Sequence, residues 1–190
     1  MNYRTNKDAL YNTLSIWNGF LGRKIHLIAC GGTALTLLGI KDSTKDIDLI
    51  VPRETEHSYL IKTLRDIGYK QVTEHGWSSE DLFIFDIFKG NYVYTTALLE
   101  SPLDEGNHIL IKELSSLYLG VLNDYDLIIS KLFRGTEIDF DDCLALIRHR
   151  KGSIDLDKLK RRYRETASYD ISETKLIMNL DLFIERIEGA

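Results

Sequence analysis

Proline and cysteine are scarce, with two of each in 190 residues, and the sequence holds no internal repeat, no low-complexity tract and no Pro-, Gly- or Ser-rich linker. No stretch approaches roughly 18 uninterrupted apolar residues, so no membrane span and no membrane partner are expected. Cys30 and Cys143 lie far apart inside apolar segments, which excludes a disulfide framework and a Cys-x-x-Cys metal site and fits a reducing cytoplasm. Met1 to Arg4 run straight into an amphipathic pattern without the apolar run of a signal peptide. None of the histidines, at 26, 57, 75, 108 and 149, shows His-x-His or His-Glu-x-x-His spacing, which disfavours zinc chemistry. A formal net charge of −5 argues against a general polyanion binder, although a local cluster can override bulk charge.

What is present is ordinary globular material, 44% apolar and 28% charged. Leu10, Leu14, Trp17 and Leu21 form the apolar stripe of a helix from Asn6 to about Leu21. Lys24 to Cys30 reads as a buried strand stopped by two glycines, Thr33 to Leu38 as a short helix, and Asp46 to Val51 as a core strand closed by Pro52. A helix with Leu60, Ile61, Leu64 and Ile67 on its apolar face ends near Gly68, and Tyr69 to Thr73 follows as a strand. Leu82–Phe88 and Asn91–Leu98 are expected to pair about a Lys89-Gly90-Asn91 turn, and from about Leu114 the pattern reads as helical to the end, with segments near 123–134, 139–150, 155–167 and 172–187. The expected architecture is α/β (or α+β): a mixed sheet flanked by helices over residues 1–122, with a helical region over 123–190 packed on it and a soft boundary between them.

Asp46 and Asp48 are two apart on a strand, so both carboxylates project to one face and make half a clamp for a cation. Like charges so close repel unless something positive lies between them. Taken alone, Asp-x-Asp fits a solvated polar turn beside Lys45 better than a metal clamp. Asp86 says more, because it interrupts Phe83, Ile84, Phe85, Ile87 and Phe88, where an unpaired buried carboxylate costs several kcal/mol. It needs water or a lysine at a sheet edge, or a job as a third metal ligand. Gly31-Gly32-Thr33 ends one strand and opens a helix, which places backbone amides and a hydroxyl where a phosphate could sit; the run is neither a P-loop nor a Rossmann fingerprint.

The order of apolar strand, Cys30-Gly31-Gly32, thirteen residues, Asp46-Ile47-Asp48-Leu49 and a lone Asp86 in a later apolar strand resembles the DNA polymerase beta-like nucleotidyltransferase superfamily. Lys131, Arg134, Asp139 and Asp142, with Cys143 inserted before Leu144, resemble a second motif pair of the minimal prokaryotic branch that includes AbiEii-type toxin-antitoxin nucleotidyltransferases. The resemblance covers roughly residues 25–147. It implies an enzyme that moves a nucleoside monophosphate from an NTP to a hydroxyl of tRNA, a protein or a small molecule and releases pyrophosphate. It further implies a pair of Mg²⁺ ions, or Mn²⁺ in their place, on Asp46, Asp48 and Asp86. Gly31, Gly32 and Thr33 would hold the phosphates, and Asp86 would help take the acceptor's proton. Lys131 either reaches the triphosphate or carries its amine to solvent. Arg134 reads as an ion-pair partner of Asp139 or Asp142, and the acids at 139–142 as helix caps. The segment Arg148–Arg164 holds eight Lys/Arg against two Asp; it reads either as the solvated side of a helix packed through Leu156, Leu159 and Tyr163 or as an RNA contact. The alternative to an enzyme is a non-catalytic, antitoxin-like binding module that keeps the fold.

Overall fold

The computed structural model describes residues 4–79 and 83–189. Helix α1 (Lys7–Phe20) buries Leu10, Leu14 and Trp17 as the stripe predicts, and the Asn6 side chain caps it by accepting from the amide of Ala9. Strand β1 (Ile25–Ala29) leads into helix α2 (Gly31–Leu37), so both glycines lie in the first turn of the helix. Strand β2 (Ile47–Val51) is buried at every position, and helix α3 (Glu54–Asp66) follows it. Gly68, at φ +96, closes α3, with the amide of Tyr69 reaching back to the carbonyl of Leu64.

Next come the short strands β3 (Lys70–Gln71) and β4 (Gly76–Ser78), then β5 (Phe85–Lys89). Leu82, the expected start of this last strand, lies outside the described residues. The segment after Gly90 departs from expectation. β6 (Tyr92–Val93) and β7 (Thr96–Ala97) pair with each other as a separate two-stranded ribbon and leave β5 to pair with β4 and β2. The Gly90 amide instead bonds to the carbonyl of Val51.

The helical reading from Leu114 onward is corrected by β8 (His108–Glu113) and β9 (Leu117–Leu122), an antiparallel hairpin with a register shift between Leu110 and Lys112. Leu117 to Leu122 is a nearly continuous apolar run because β9 is covered on both faces, and such a run carries no period to separate strand from helix. The resulting seven-stranded sheet has the order β3-β4-β5-β2-β1-β9-β8. β1 pairs antiparallel with β2 and parallel with β9, and β2 pairs parallel with β5, so the sheet is mixed.

Trp17 of α1 packs on Phe85 at 4.7 Å between ring centroids, α3 packs against β1 and β2, and α2 lies against β2 and β9. Helix α4 (Asp124–Arg134) is buried from Asp126 through Phe133 and is wrapped by α2, α5 (Glu137–His149), α6 (Leu156–Ala167) and α7 (Glu173–Glu188). Gly135, at φ +66, ends α4, and a Cβ there would come within 2.4 Å of the Asn179 amide nitrogen. Leu159 and Tyr163 form the packed face of α6. Arg150 grips Asp124 through two hydrogen bonds of 2.7 Å, and Arg162 grips Asp126 and reaches Glu100. Two members of the basic segment thus tie the helices to each other and to the loop after β7, while Arg148, Lys151, Arg161 and Arg164 stay exposed.

Candidate active site

A cavity of about 350 Å³ opens between the entrance of β2 and the helices α4 and α5. One wall carries Gly32, Thr44, Asp46, Asp48 and Tyr94; the other carries Lys131, Arg134, Asp139 and Asp142, with Lys41 and Lys45 at the rim.

The sheet wall follows from strand geometry. Asp46 and Asp48 project to one face while Ile47 and Leu49 enter the core on the other. β5 lies beside β2 in parallel, with Asp86 directly opposite Asp48, so the structure brings the third expected carboxylate to the neighbouring strand at the same level. Asp86 itself is not part of the cavity lining. Burial pushes the Asp48 carboxyl up to about 6; Tyr94, Arg134 and Lys131 oppose the rise and Asp86 adds to it. Asp86 is raised as well, by burial first and then by Asp46, with His75 opposing.

Gly31 has a φ of +56, and a Cβ there would stand 2.3 Å from Oδ2 of Asp48; at Gly32 it would stand 2.6 Å from Oγ1 of Thr44. Gly31 is therefore required twice, for a backbone conformation that L side chains avoid and for room beside the acid, whereas Gly32 is required only for room beside the Thr44 hydroxyl. Cys30 gives α2 no side-chain cap, so the amides of its first turn look to other partners. Thr33 is placed differently from the phosphate contact expected of it. Fully buried, its hydroxyl accepts from the Asp48 amide at 2.8 Å and donates to the Asp46 carbonyl at 3.2 Å. It fixes the backbone of the acid pair from behind, and Thr44 donates to the same carbonyl at 2.9 Å.

The helical wall is a chain of ion pairs. Lys41 and Lys131 each donate to Asp142 at 2.7 Å, Lys131 also lies 3.6 Å from Asp139, and Arg134 donates to Asp139 at 2.5 Å. Lys131 therefore neither reaches solvent nor stands free: its side chain is 3% exposed and paired with acids on the cavity wall. Asp139 completes a capping box with Thr136 at the start of α5, the role expected of an acid in this segment, whereas Asp142 serves as an ion-pair partner. Burial works against the Asp142 carboxylate, but Lys131 and Lys41 outweigh it and hold the group below its ordinary range. Arg134 has one unmet need among the described residues: its Nε is buried without a hydrogen-bond partner.

Tyr94 joins the two walls and has no counterpart in the sequence reading. Its hydroxyl donates to Oδ1 of Asp48 at 2.5 Å, its ring packs 4.7 Å from that of Phe88, and the Arg134 guanidinium lies 4.4 Å from its centroid. It holds a left-handed φ of +52, rare for an aromatic residue. Burial, then Asp48, push its phenol well above the ordinary range. No sequence periodicity marks this position. The basic spacer Lys41-Asp42-Ser43-Thr44-Lys45, lying between the glycines and the aspartates, was the available signal for the rim lysines.

The donor set of Asp46, Asp48 and Asp86 suits a hard divalent cation: all oxygen, mutually repelling, and adjacent across two strands. Among the described residues, however, no three His, Cys, Asp or Glu side chains converge tightly enough to hold an ion as they stand. No helix of the described residues is long and apolar enough to cross a membrane.

No curated protein matches the chain. Among solved structures it is similar to ANT(2″)-Ia in complex with adenylyl-2″-tobramycin, at 13% identity and a TM-score of 0.42 over 86% of this chain and 89% of that one. It is also similar to a putative nucleotidyltransferase from Thermotoga maritima, at 16% identity and a TM-score of 0.42 over 86% and 98%. A family profile spans residues 21–188, and by that match the chain belongs to the family described as nucleotidyltransferase of unknown function (DUF6036).

Proposed function

We propose that the chain is a divalent-metal-dependent enzyme of the cytoplasm that transfers a nucleoside monophosphate from an NTP to a hydroxyl acceptor and releases pyrophosphate. The observation that carries this reading is the buried Asp48 carboxylate, set level with Asp86 on the adjacent strand and beside Asp46, on the wall of a cavity whose opposite wall is lined by Lys131 and Arg134. Asp46, Asp48 and Asp86 would hold Mg²⁺ or Mn²⁺, which supplies neutralisation of the triphosphate charge when bound. Gly32 lines the cavity at the first turn of α2, where a phosphate would approach its amide, Gly31 would act beside it from behind the cavity wall, and Thr33 would keep the acid pair in place. Lys131, from within its pairing with Asp142, and Arg134 line the wall opposite the acids and would give the triphosphate a positive face. Asp86, raised above the ordinary carboxyl range, is suited to take the proton of the acceptor hydroxyl.

The acceptor class we propose is RNA, tRNA included, or a partner protein, reached over the exposed arginines and lysine of the Arg148–Arg164 segment. Residues 1–122 would form the transferase core and 123–190 the helical region that closes the cavity. Lys131, Arg134, Asp139 and Asp142 support placement in the minimal branch with AbiEii-type members of toxin-antitoxin systems. Two observations favour a second reading, a non-catalytic antitoxin-like module: Asp48 is already engaged by Tyr94, and among the described residues no three ligating side chains form a group able to hold an ion.

Incubation with magnesium and each of the four α-labelled NTPs separates the two readings. Label should pass from one NTP to RNA, protein or a metabolite extract, and Asp48→Asn should abolish the transfer. No transfer from any NTP, together with no magnesium-dependent NTP binding, would leave the binding module as the surviving reading.

A further inference from the structure

Tyr94 takes no part in the transfer proposed above, yet it is bonded to the central carboxylate of the site. It sits at the turn of the β6–β7 ribbon, which does not join the seven-stranded sheet. Its left-handed backbone is held in place by what its side chain touches: Asp48 through the hydroxyl, Phe88 and Arg134 through the ring. On the far side of Asp48, Oδ2 lies against Gly31, where even a methyl group would not fit. The carboxylate is therefore confined between a glycine at one oxygen and a phenol at the other.

We propose that Tyr94 is a latch: its hydroxyl occupies Oδ1 of Asp48, an oxygen that a divalent cation would use, and binding of the cation displaces it. The inference rests on the metal-dependent reading of the site. It accounts for an otherwise awkward pairing of facts. The strand register sets Asp48 opposite Asp86, yet the described carboxylates do not form a group able to hold an ion. A neutral O–H donor satisfies a buried carboxylate in the absence of a cation and gives way to a full positive charge.

The latch also has a second handle. Arg134 lies over the Tyr94 ring and is anchored on Asp139 at 2.5 Å, while its Nε has no partner. A phosphate oxygen accepting from that Nε would draw on the same guanidinium that holds the ring. The cation acts on the hydroxyl of Tyr94 and the polyphosphate on its face, so the two ligands release one side chain and each should favour binding of the other.

Mn²⁺ binding followed by electron paramagnetic resonance, with and without α,β-methylene-ATP, tests this without reference to turnover. Tyr94→Phe keeps the ring on Phe88 and Arg134 and deletes only the competing hydroxyl. The folded variant should bind Mn²⁺ about tenfold more tightly than wild type, the scale of one lost hydrogen bond to a charged group. The analogue should tighten Mn²⁺ binding less in the variant than in wild type. Equal or weaker Mn²⁺ binding by a folded Tyr94→Phe, with wild type binding the ion, overturns the latch and leaves the metal reading standing. Binding by neither protein removes both. Should the variant not fold, a crystal structure of wild type with Mn²⁺ and the analogue decides: the Tyr94 hydroxyl still bonded to Asp48 overturns the latch, and a displaced hydroxyl supports it.

Discussion

On the helical wall of the cavity Asp139 and Asp142 are matched by Arg134, Lys131 and Lys41, whereas the sheet wall carries Asp46 and Asp48, with Asp86 level with Asp48 on the strand beside it, and the donor on Asp48 is a neutral phenol. The same residue type therefore titrates in opposite directions within one cavity, Asp142 down and Asp48 up to about 6. The helical wall pairs its acids internally, with the Arg134 Nε its one unmet donor among the described residues, and its charges hold α4, α5 and the α2–β2 loop together. The sheet wall holds charge that the fold does not compensate, the mark of a place where a ligand completes the electrostatics.

The sharpest way to break this contrast is Asp142→Ala. It would strand Lys41 and leave the buried Lys131 only its 3.6 Å contact with Asp139, and should cost about 3–5 kcal/mol in urea unfolding; a loss under about 1 kcal/mol would mean the helical wall is not structural. Gly31→Ala comes next, since it combines a left-handed backbone with a clash on Asp48. It should cost roughly 2–3 kcal/mol, more than Gly39→Ala, where the backbone is also left-handed but the space is open.

Asp48→Asn should do the reverse and stabilise the metal-free protein. Because the folded state holds the proton more tightly than the unfolded chain, wild type loses stability as pH rises from about 4 to about 6 and the loss persists above. The advantage of the Asn variant in chelator-treated samples should therefore grow over that window to roughly 1–3 kcal/mol and stay level to pH 8. Melting curves showing the opposite slope would mean that Asp48 is not under charge stress. Asp46→Asn, at a half-buried position, should change stability by less than about 0.5 kcal/mol while reducing Mn²⁺ binding, the smallest effect on the fold and the clearest separation of site from scaffold.

The central part of this arrangement was legible in the sequence because its residues break rules. Two glycines end an apolar run, and an aspartate interrupts an aromatic strand; each anomaly has a local cost that only a specific placement relieves. β9 was not legible, because a strand buried on both faces shows no alternation and Gly120 gives no helix-breaking cue strong enough to decide, and β8 was not, because an edge strand exposed along most of its length has no buried face to leave a pattern. Nor was the true course of residues 91–98: the Gly90 turn is real, but pairing is decided by which strand edge is free, and β4 takes that edge of β5. Tyr94 was invisible for a related reason, since its role depends on a ribbon that folds back over the site rather than on any spacing within the chain. Thr33 shows the converse. Its position in the motif was evident, but only the hydrogen bonds reveal that it faces backward, into the strand.

The parallel alignment of β2 with β5 has a consequence for how this chain can change over time. A slip of one residue in β2 would carry Asp46 and Asp48 into the core and turn Ile47 and Leu49 out toward the cavity, so chemistry and folding would fail together. Partial loss of the site by drift in strand pairing is therefore closed to this protein. Variation in what it acts upon must come from the cavity rim and the ribbon, which can be rebuilt without moving the strands.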